Sequence, residues 1–236
     1  MKPPKVSRKV FLRRHLLAGL SALVVLYLFW LSRPQWTGEM RLWRAFGDAG
    51  FTFLFAVLLI GPAARLWSPA ARALLRRREI GIWCAILVIT HSMLILNGWA
   101  RWDVMRFLGY EVIPQLGRYA RMEPGFGLAN LLGLVALFWM VLLFVTSSDK
   151  AIELLGPASW KRIQNAANAM FYVVAIHASY FLFIHYSISF HRRVPEPNWF
   201  RYVLVAMALT IFVLQTSAFV KTIYQRRARR ALDAQI

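Results

Sequence analysis

The stretch IGIWCAILVITHSMLILNG, residues 80–98, carries no charged side chain over nineteen positions and has one histidine, His91, near its middle. About 20 apolar residues are needed for a helix to cross the hydrocarbon core of a bilayer, so this run predicts a transmembrane helix. Five further runs of comparable length and polarity occur, at residues 15–32, 47–66, 126–146, 166–187 and 202–220. Together they predict an all-α integral membrane protein, a bundle of six transmembrane helices forming one membrane domain over residues 1–236. The first run is not followed by a small-residue cleavage site, because the chain continues Phe29-Trp30-Leu31-Ser32-Arg33-Pro34, and it is expected to stay as a helix. No internal repeat, linker or low-complexity tract stands out.

Composition agrees. Of 236 residues, 59% are hydrophobic and 17% charged, too apolar for a soluble domain of this size. The net charge of +19 invites a nucleic-acid partner. The distribution argues against one, since the basic residues are confined to short segments between apolar runs, where they act as topology signals and lipid-headgroup contacts. Nineteen of the 29 Lys and Arg residues fall in the tails (1–14 and 221–236) and in the second and fourth connections, which contain Arg65, Arg76, Arg77, Arg78, Lys150, Lys161 and Arg162. The other ten, among them Arg33, Arg41, Arg44, Arg118 and Arg201, fall on the opposite side. The positive-inside rule therefore puts both termini in the cytoplasm. The longest connection, residues 99–125, faces outward. Its mixture of aromatics, charges and Pro114 suits either a short amphipathic piece on the membrane surface or an ordinary interfacial loop.

Five histidines occur. His15 and His191 sit at membrane edges beside arginines and are expected to be solvated. His91 and His177 lie well inside apolar runs, and each is eleven residues from the cytoplasmic start of its run, roughly 17 Å deep at 1.5 Å per residue. Two imidazoles at one depth on different helices suit either of two roles. They can bond to neighbouring helices, or they can hold one haem iron from both faces, leaving no open position at the metal. His185 lies eight residues beyond His177, about 80° round the helix, and suits an interfacial position or a ligand of a second site. Cys84 reads as a packed thiol and Asp48 as a helix cap. No Cys-x-x-Cys pair, nucleophile triad, phosphate loop or dinucleotide fingerprint is present.

The run Arg77-Arg78-Glu79-Ile80-Gly81-Ile82-Trp83-Cys84 followed by His91 resembles the ferric reductase-like transmembrane family. Within it the closest resemblance is to MsrQ, the family of haem-binding membrane subunits of a bacterial periplasmic methionine sulfoxide reductase system. Leu58-Leu59-Ile60-Gly61-Pro62-Ala63-Ala64-Arg65, Phe144-Val145-Thr146-Ser147, Leu155-Gly156, Trp160 and Ile176-His177 extend the resemblance over a core of about residues 47–187. It implies a multi-pass protein of the bacterial inner membrane holding haem b, with His91 and His177 as axial ligands. Electrons would arrive from a cytoplasmic flavin reductase or free flavin, FMN or FAD, and leave to a periplasmic redox partner that repairs oxidised methionine. Arg65, Arg77 and Arg78 are candidates for haem propionate or flavin contacts, or serve only as positive-inside anchors. A further family histidine, near the start of the fifth helix, corresponds to Gln164 here, and the outward loop is longer than in that family. One haem is therefore expected rather than two. The alternatives are direct reduction of ferric iron or oxygen at the outer face, and a non-redox scaffold subunit.

Overall fold

A computed structural model of the chain describes residues 7–185 and 198–233. Its elements are α1 (Arg8–Leu31), α2 (Gly38–Leu66), α3 (Arg77–Leu94), α4 (Val104–Phe107), β1 (Tyr110–Ile113), β2 (Arg118–Arg121), α5 (Phe126–Val145), α6 (Asp149–Asn165), α7 (Ala167–Ser179) and α8 (Phe200–Asp233). Among the described residues, six helical segments are long and apolar enough to cross a membrane. They match the six expected runs, with α6 and α7 forming one long segment. Large apolar side chains cover the outside of the bundle, such as Leu23 and Tyr27 on α1, Phe138 on α5 and Phe212 on α8, as expected where lipid replaces water.

α2 is the central helix, packing against α1, α3, α7 and α8. It starts nine residues earlier than the apolar run suggests. Thr37 caps it, Oγ1 accepting from Met40 N at 3.3 Å, and the more polar turns after Gly38 remain helical. This corrects the reading of Asp48 as a cap: Asp48 lies inside α2, buried, and pairs with the fully buried guanidinium of Arg33. Arg33 Nη2 also donates to Asn198 Oδ1 at 2.9 Å, and Phe29, Trp36 and Trp199 surround the guanidinium with centroids 5.3–5.9 Å away. A buried carboxylate and a buried cation thus tie the α1–α2 connection to the start of α8.

The connection over residues 99–125 is not an amphipathic helix. Asp103 caps only one turn, α4, with Oδ1 accepting from Met105 N at 2.8 Å. Tyr110-Glu-Val-Ile then suits a strand, Pro114 ends it and opens a single 3₁₀ turn, Pro114–Leu116, and Gly117 (φ 59°) supplies the left-handed residue that turns β1 back onto β2. At the other end, the fourth connection is largely helical, as α6. Gly156 (φ 74°, ψ 151°), followed by Pro157, breaks it. Of the basic side chains, Lys2, Lys5, Arg192 and Arg193 lie outside the described residues, as does His191.

Removing Arg33 would leave Asp48 buried without its cation, a defect worth about 3 kcal/mol. Arg33→Met should therefore lower the unfolding temperature in detergent markedly. Adding Asp48→Asn should recover part of the loss, and an additive or larger loss would show that the pair is not coupled.

Candidate functional site

Two histidine sites are built alike. His91 on α3 places Nδ1 2.9 Å from Trp43 O on α2, and His177 on α7 places Nδ1 2.7 Å from Ala129 O on α5. A carbonyl oxygen only accepts, so each Nδ1 carries the proton and donates it. In the neutral ring, Nε2 is then left with its lone pair, and neither Nε2 has a hydrogen bond among the described residues. That is the form of imidazole that binds a metal, oriented by a bond from its other nitrogen.

Glycine makes the close approach possible. A Cβ at Gly47 would stand 3.1 Å from His91 Cε1, and one at Gly133 would stand 2.8 Å from His177 Cε1. Each glycine follows its acceptor carbonyl by four residues. Adding 86 to Trp43, Gly47 and His91 gives Ala129, Gly133 and His177. Each histidine helix also loosens into a π-helical turn beyond the ring, at Ile95–Ala100 and Tyr180–Ile184. The carbonyl, glycine and histidine arrangement of α2–α3 thus recurs between α5 and α7. The sequence hides it because little beyond the glycine and the histidine recurs at this spacing.

Both histidines line one cavity, whose other walls are mainly apolar, including Phe51, Val88, Leu137 and Phe181. Arg44, Asp48 and Asn130 add polarity toward the hairpin end. His185 reaches the same cavity, with its Nδ1 2.8 Å from the buried Glu123 carboxylate. Tyr180 donates its hydroxyl to Glu123 Oε1 at 2.6 Å. Phe181 stands between the two histidines of this segment, with ring centroids 5.2 Å from His177 and 6.0 Å from His185.

The arginines singled out from the sequence stand elsewhere. Arg65 closes α2, Arg77 and Arg78 open α3, and all three lie at the basic end of the bundle. Arg78 precedes His91 by thirteen residues, roughly 20 Å of helix, and pairs with Asp149 at 2.8 Å. Arg77 and Arg78 instead line a second cavity, with Gln164 on its wall. Gln164 Nε2 donates to Thr146 Oγ1 at 3.1 Å and Trp160 Nε1 to Thr146 O at 2.9 Å. The Thr146, Trp160 and Gln164 positions thus join α5 to α6. Cys84 is packed as expected, with Sγ 3.4 Å from Gly50 O.

The residues that sequence reasoning missed at the histidine cavity are Gly47, Gly133, Arg44 and Asn130. Their one legible signal is the equal spacing of glycine and histidine, 44 residues in both halves. No family model and no curated protein matches the chain. Among the described residues, no group of three or more His, Cys, Asp or Glu is placed to hold a metal ion by itself. The donors at this cavity are the imidazoles of His91 and His177, and most of its walls are apolar.

A glycine-to-alanine change in a helix ordinarily stabilises, by about 0.4–1 kcal/mol. Gly133→Ala should instead destabilise, by about 1–3 kcal/mol, because it crowds a ring held by its own hydrogen bond. Gly38→Ala, with nothing within 4 Å of the new methyl, is the control. Equal melting temperatures for the two variants in detergent would show that the ring does not rest on the glycine.

Proposed function

We propose that the chain holds one haem b between His91 and His177 and carries electrons across a bacterial inner membrane. The observation that carries this reading is the pair of histidines, each with Nδ1 bonded to a helix carbonyl and no hydrogen bond at Nε2 among the described residues, lining one mainly apolar cavity. Held by His91 and His177, haem would supply one-electron chemistry. The chain's own part is positional. Trp43 O and Ala129 O fix the tautomer and tilt of each imidazole. Gly47 and Gly133 give the rings room, and the apolar walls keep water from the site. Arg44, on the wall toward the hairpin end, offers a cation to a propionate.

The donor is a cytoplasmic flavin reductase or free reduced flavin, and the acceptor a periplasmic partner such as a methionine sulfoxide reductase, as in MsrQ. Support comes from the resemblance, from the missing dinucleotide fingerprint and from the basic end, which suits an anionic donor. Gln164 is held by Thr146 and is a poor ligand, which supports a single haem.

The test is the optical spectrum of purified chain after haem supplementation. Wild type should bind about one haem per chain, judged by two axial nitrogens for one iron. Dithionite or reduced flavin should reduce it, and NADH alone should not. His91→Ala and His177→Ala should each lose most of the haem while remaining monodisperse and helical, and His15→Ala should not. Full haem retention in both variants sinks the assignment, and a colourless wild type favours the scaffold alternative.

Orientation follows from the 19 and 10 basic residues on the two sides. Reporter fusions after residue 233 and within the 110–121 hairpin should report opposite compartments, the first of them cytoplasmic. The reverse assignment would invert the direction of electron flow.

A further inference from the structure

Amide side chains that face lipid are rare, because hydrocarbon offers them no partner. One such group stands on the outside of the bundle, where α7 meets α8. Tyr172 donates its hydroxyl to Gln215 Oε1 at 3.1 Å, Gln215 Nε2 donates to Asn168 Oδ1 at 3.1 Å, and Asn168 Nδ2 donates to Asn165 O at 3.1 Å. Tyr172 is 37% exposed, Asn168 is exposed and Gln215 is half-buried.

Their height follows from Lys221. It closes the apolar run 202–220 of α8 and donates to Arg65 O at 2.8 Å and Leu66 O at 3.3 Å, at the end of α2. Gln215 lies six residues before it, roughly 9 Å along the helix. Half the hydrocarbon core is about 15 Å thick. The amides therefore sit within the hydrocarbon layer and not among the headgroups.

The bonds already made join α7 to α8, yet they use only half of each amide. An amide nitrogen has two hydrogens and its oxygen two lone pairs. Asn168 and Gln215 each use one of either kind, which leaves two N–H groups and two lone pairs without a partner among the described residues. Contact between α7 and α8 explains the first set and not the second. The spare set is balanced between donors and acceptors. A two-fold axis through this face therefore matches every spare donor with a spare acceptor on a second copy, so the partial charges are complementary by symmetry. Lipid tails bring no such groups, and a foreign helix would have to bring its own matching set. Ala169, exposed beside Asn168, is small enough to let backbones approach, as at other helix contacts in membranes.

We infer that the α7–α8 face joins two copies of the chain within the membrane, through the spare amide groups of Asn168 and Gln215. Neither of these residues nor Tyr172 lines a cavity, so the inference does not rest on haem.

The full chain, carrying one fluorophore at its C-terminus, is placed in vesicles of phosphatidylethanolamine and phosphatidylglycerol. Copies per complex are counted from photobleaching steps over a dilution series. Dimers should dominate at high density and dissociate on dilution. Asn168→Leu/Gln215→Leu should raise the dissociation constant about tenfold, the scale of a few interhelical hydrogen bonds in a membrane. Where that variant loosens the fold, Ala169→Trp serves: it keeps all three internal bonds, obstructs the approach and should also favour the monomer. A short bismaleimide should cross-link Ala169→Cys between copies. It should not cross-link Ser217→Cys, which is exposed about 200° round α8 from Gln215. The unmodified chain, whose one cysteine is buried, is the blank. A chain that stays monomeric at every density overturns the inference and leaves the face to lipid or to another protein's helix. A dimer that cross-links through Ser217→Cys alone, or that both face variants leave unchanged, overturns it as well.

Discussion

A ring N–H taken out of water must find an acceptor, and here the same solution occurs twice. The carbonyl at position i of a helix already accepts from the N–H of residue i+4, but it has a second lone pair. Trp43 O and Ala129 O give that lone pair to His91 and His177. The oxygen is accessible only because residue i+4 is glycine, whose missing Cβ opens the helix surface where the ring lies. Glycine and carbonyl are thus one device. Its result is that Nδ1 holds the proton and Nε2 keeps its lone pair, on rings that line the cavity. A bulkier residue at either glycine would displace the ring, and a displaced ring would lose its acceptor.

Much else in the bundle follows from placing this device on two helix pairs. α2 must lie close to α3, and α5 close to α7, so that a carbonyl of one helix reaches an imidazole of the other. Both histidine helices then change pitch, through Ile95–Ala100 and Tyr180–Ile184, just beyond the ring. π-Helical turns of this kind concentrate at functional sites, because the extra residue re-aims the side chains that follow. On α7 the change brings His185 onto the cavity wall, where a regular helix had suggested a face about 80° away. Asp48, next to Gly47, is held at the same level by Arg33, so the hairpin end of the cavity is polar without an unpaired carboxylate there.

The six spans were legible because hydrocarbon demands long apolar runs whatever the helices pack against. That His91 and His177 could share a cavity was suggested for a similar reason, since residues counted from the start of each run give a height, and both do line one cavity. What could not be read depends on partners distant in sequence. Gly47 and Gly133 look like ordinary membrane-helix glycines until a histidine 44 residues away is packed on each. Arg33 looked like one more loop arginine, and Asp48 like a cap, because the polar turns of α2 from Gly38 onward interrupt the apolar pattern without interrupting the helix. The hairpin had local signals in Pro114 and Gly117, but its aromatic and charged mixture suited a surface helix equally well. Arg65, Arg77 and Arg78 all stand at the basic end of the bundle, but only Arg77 and Arg78 line the second cavity, a difference that depends on packing and not on their spacing.

The two cavities share two wall residues, Leu54 and Met140. These are again 86 residues apart, so the repeat that builds the histidine sites also builds the layer between the cavities. Leu54 is 3% exposed and Met140 5%, and neither side chain offers a proton donor. Such a layer keeps the cationic rim at one end apart from the imidazoles at the other, and it breaks any chain of hydrogen bonds between them. Under the proposed function this separation has a direct meaning. An electron can cross a thin apolar layer while a proton needs a relay of donors and acceptors, so the layer passes the one and holds back the other. Proton exchange at the histidine cavity is then left to its hairpin end, where His185, Glu123 and Tyr180 are already bonded to one another.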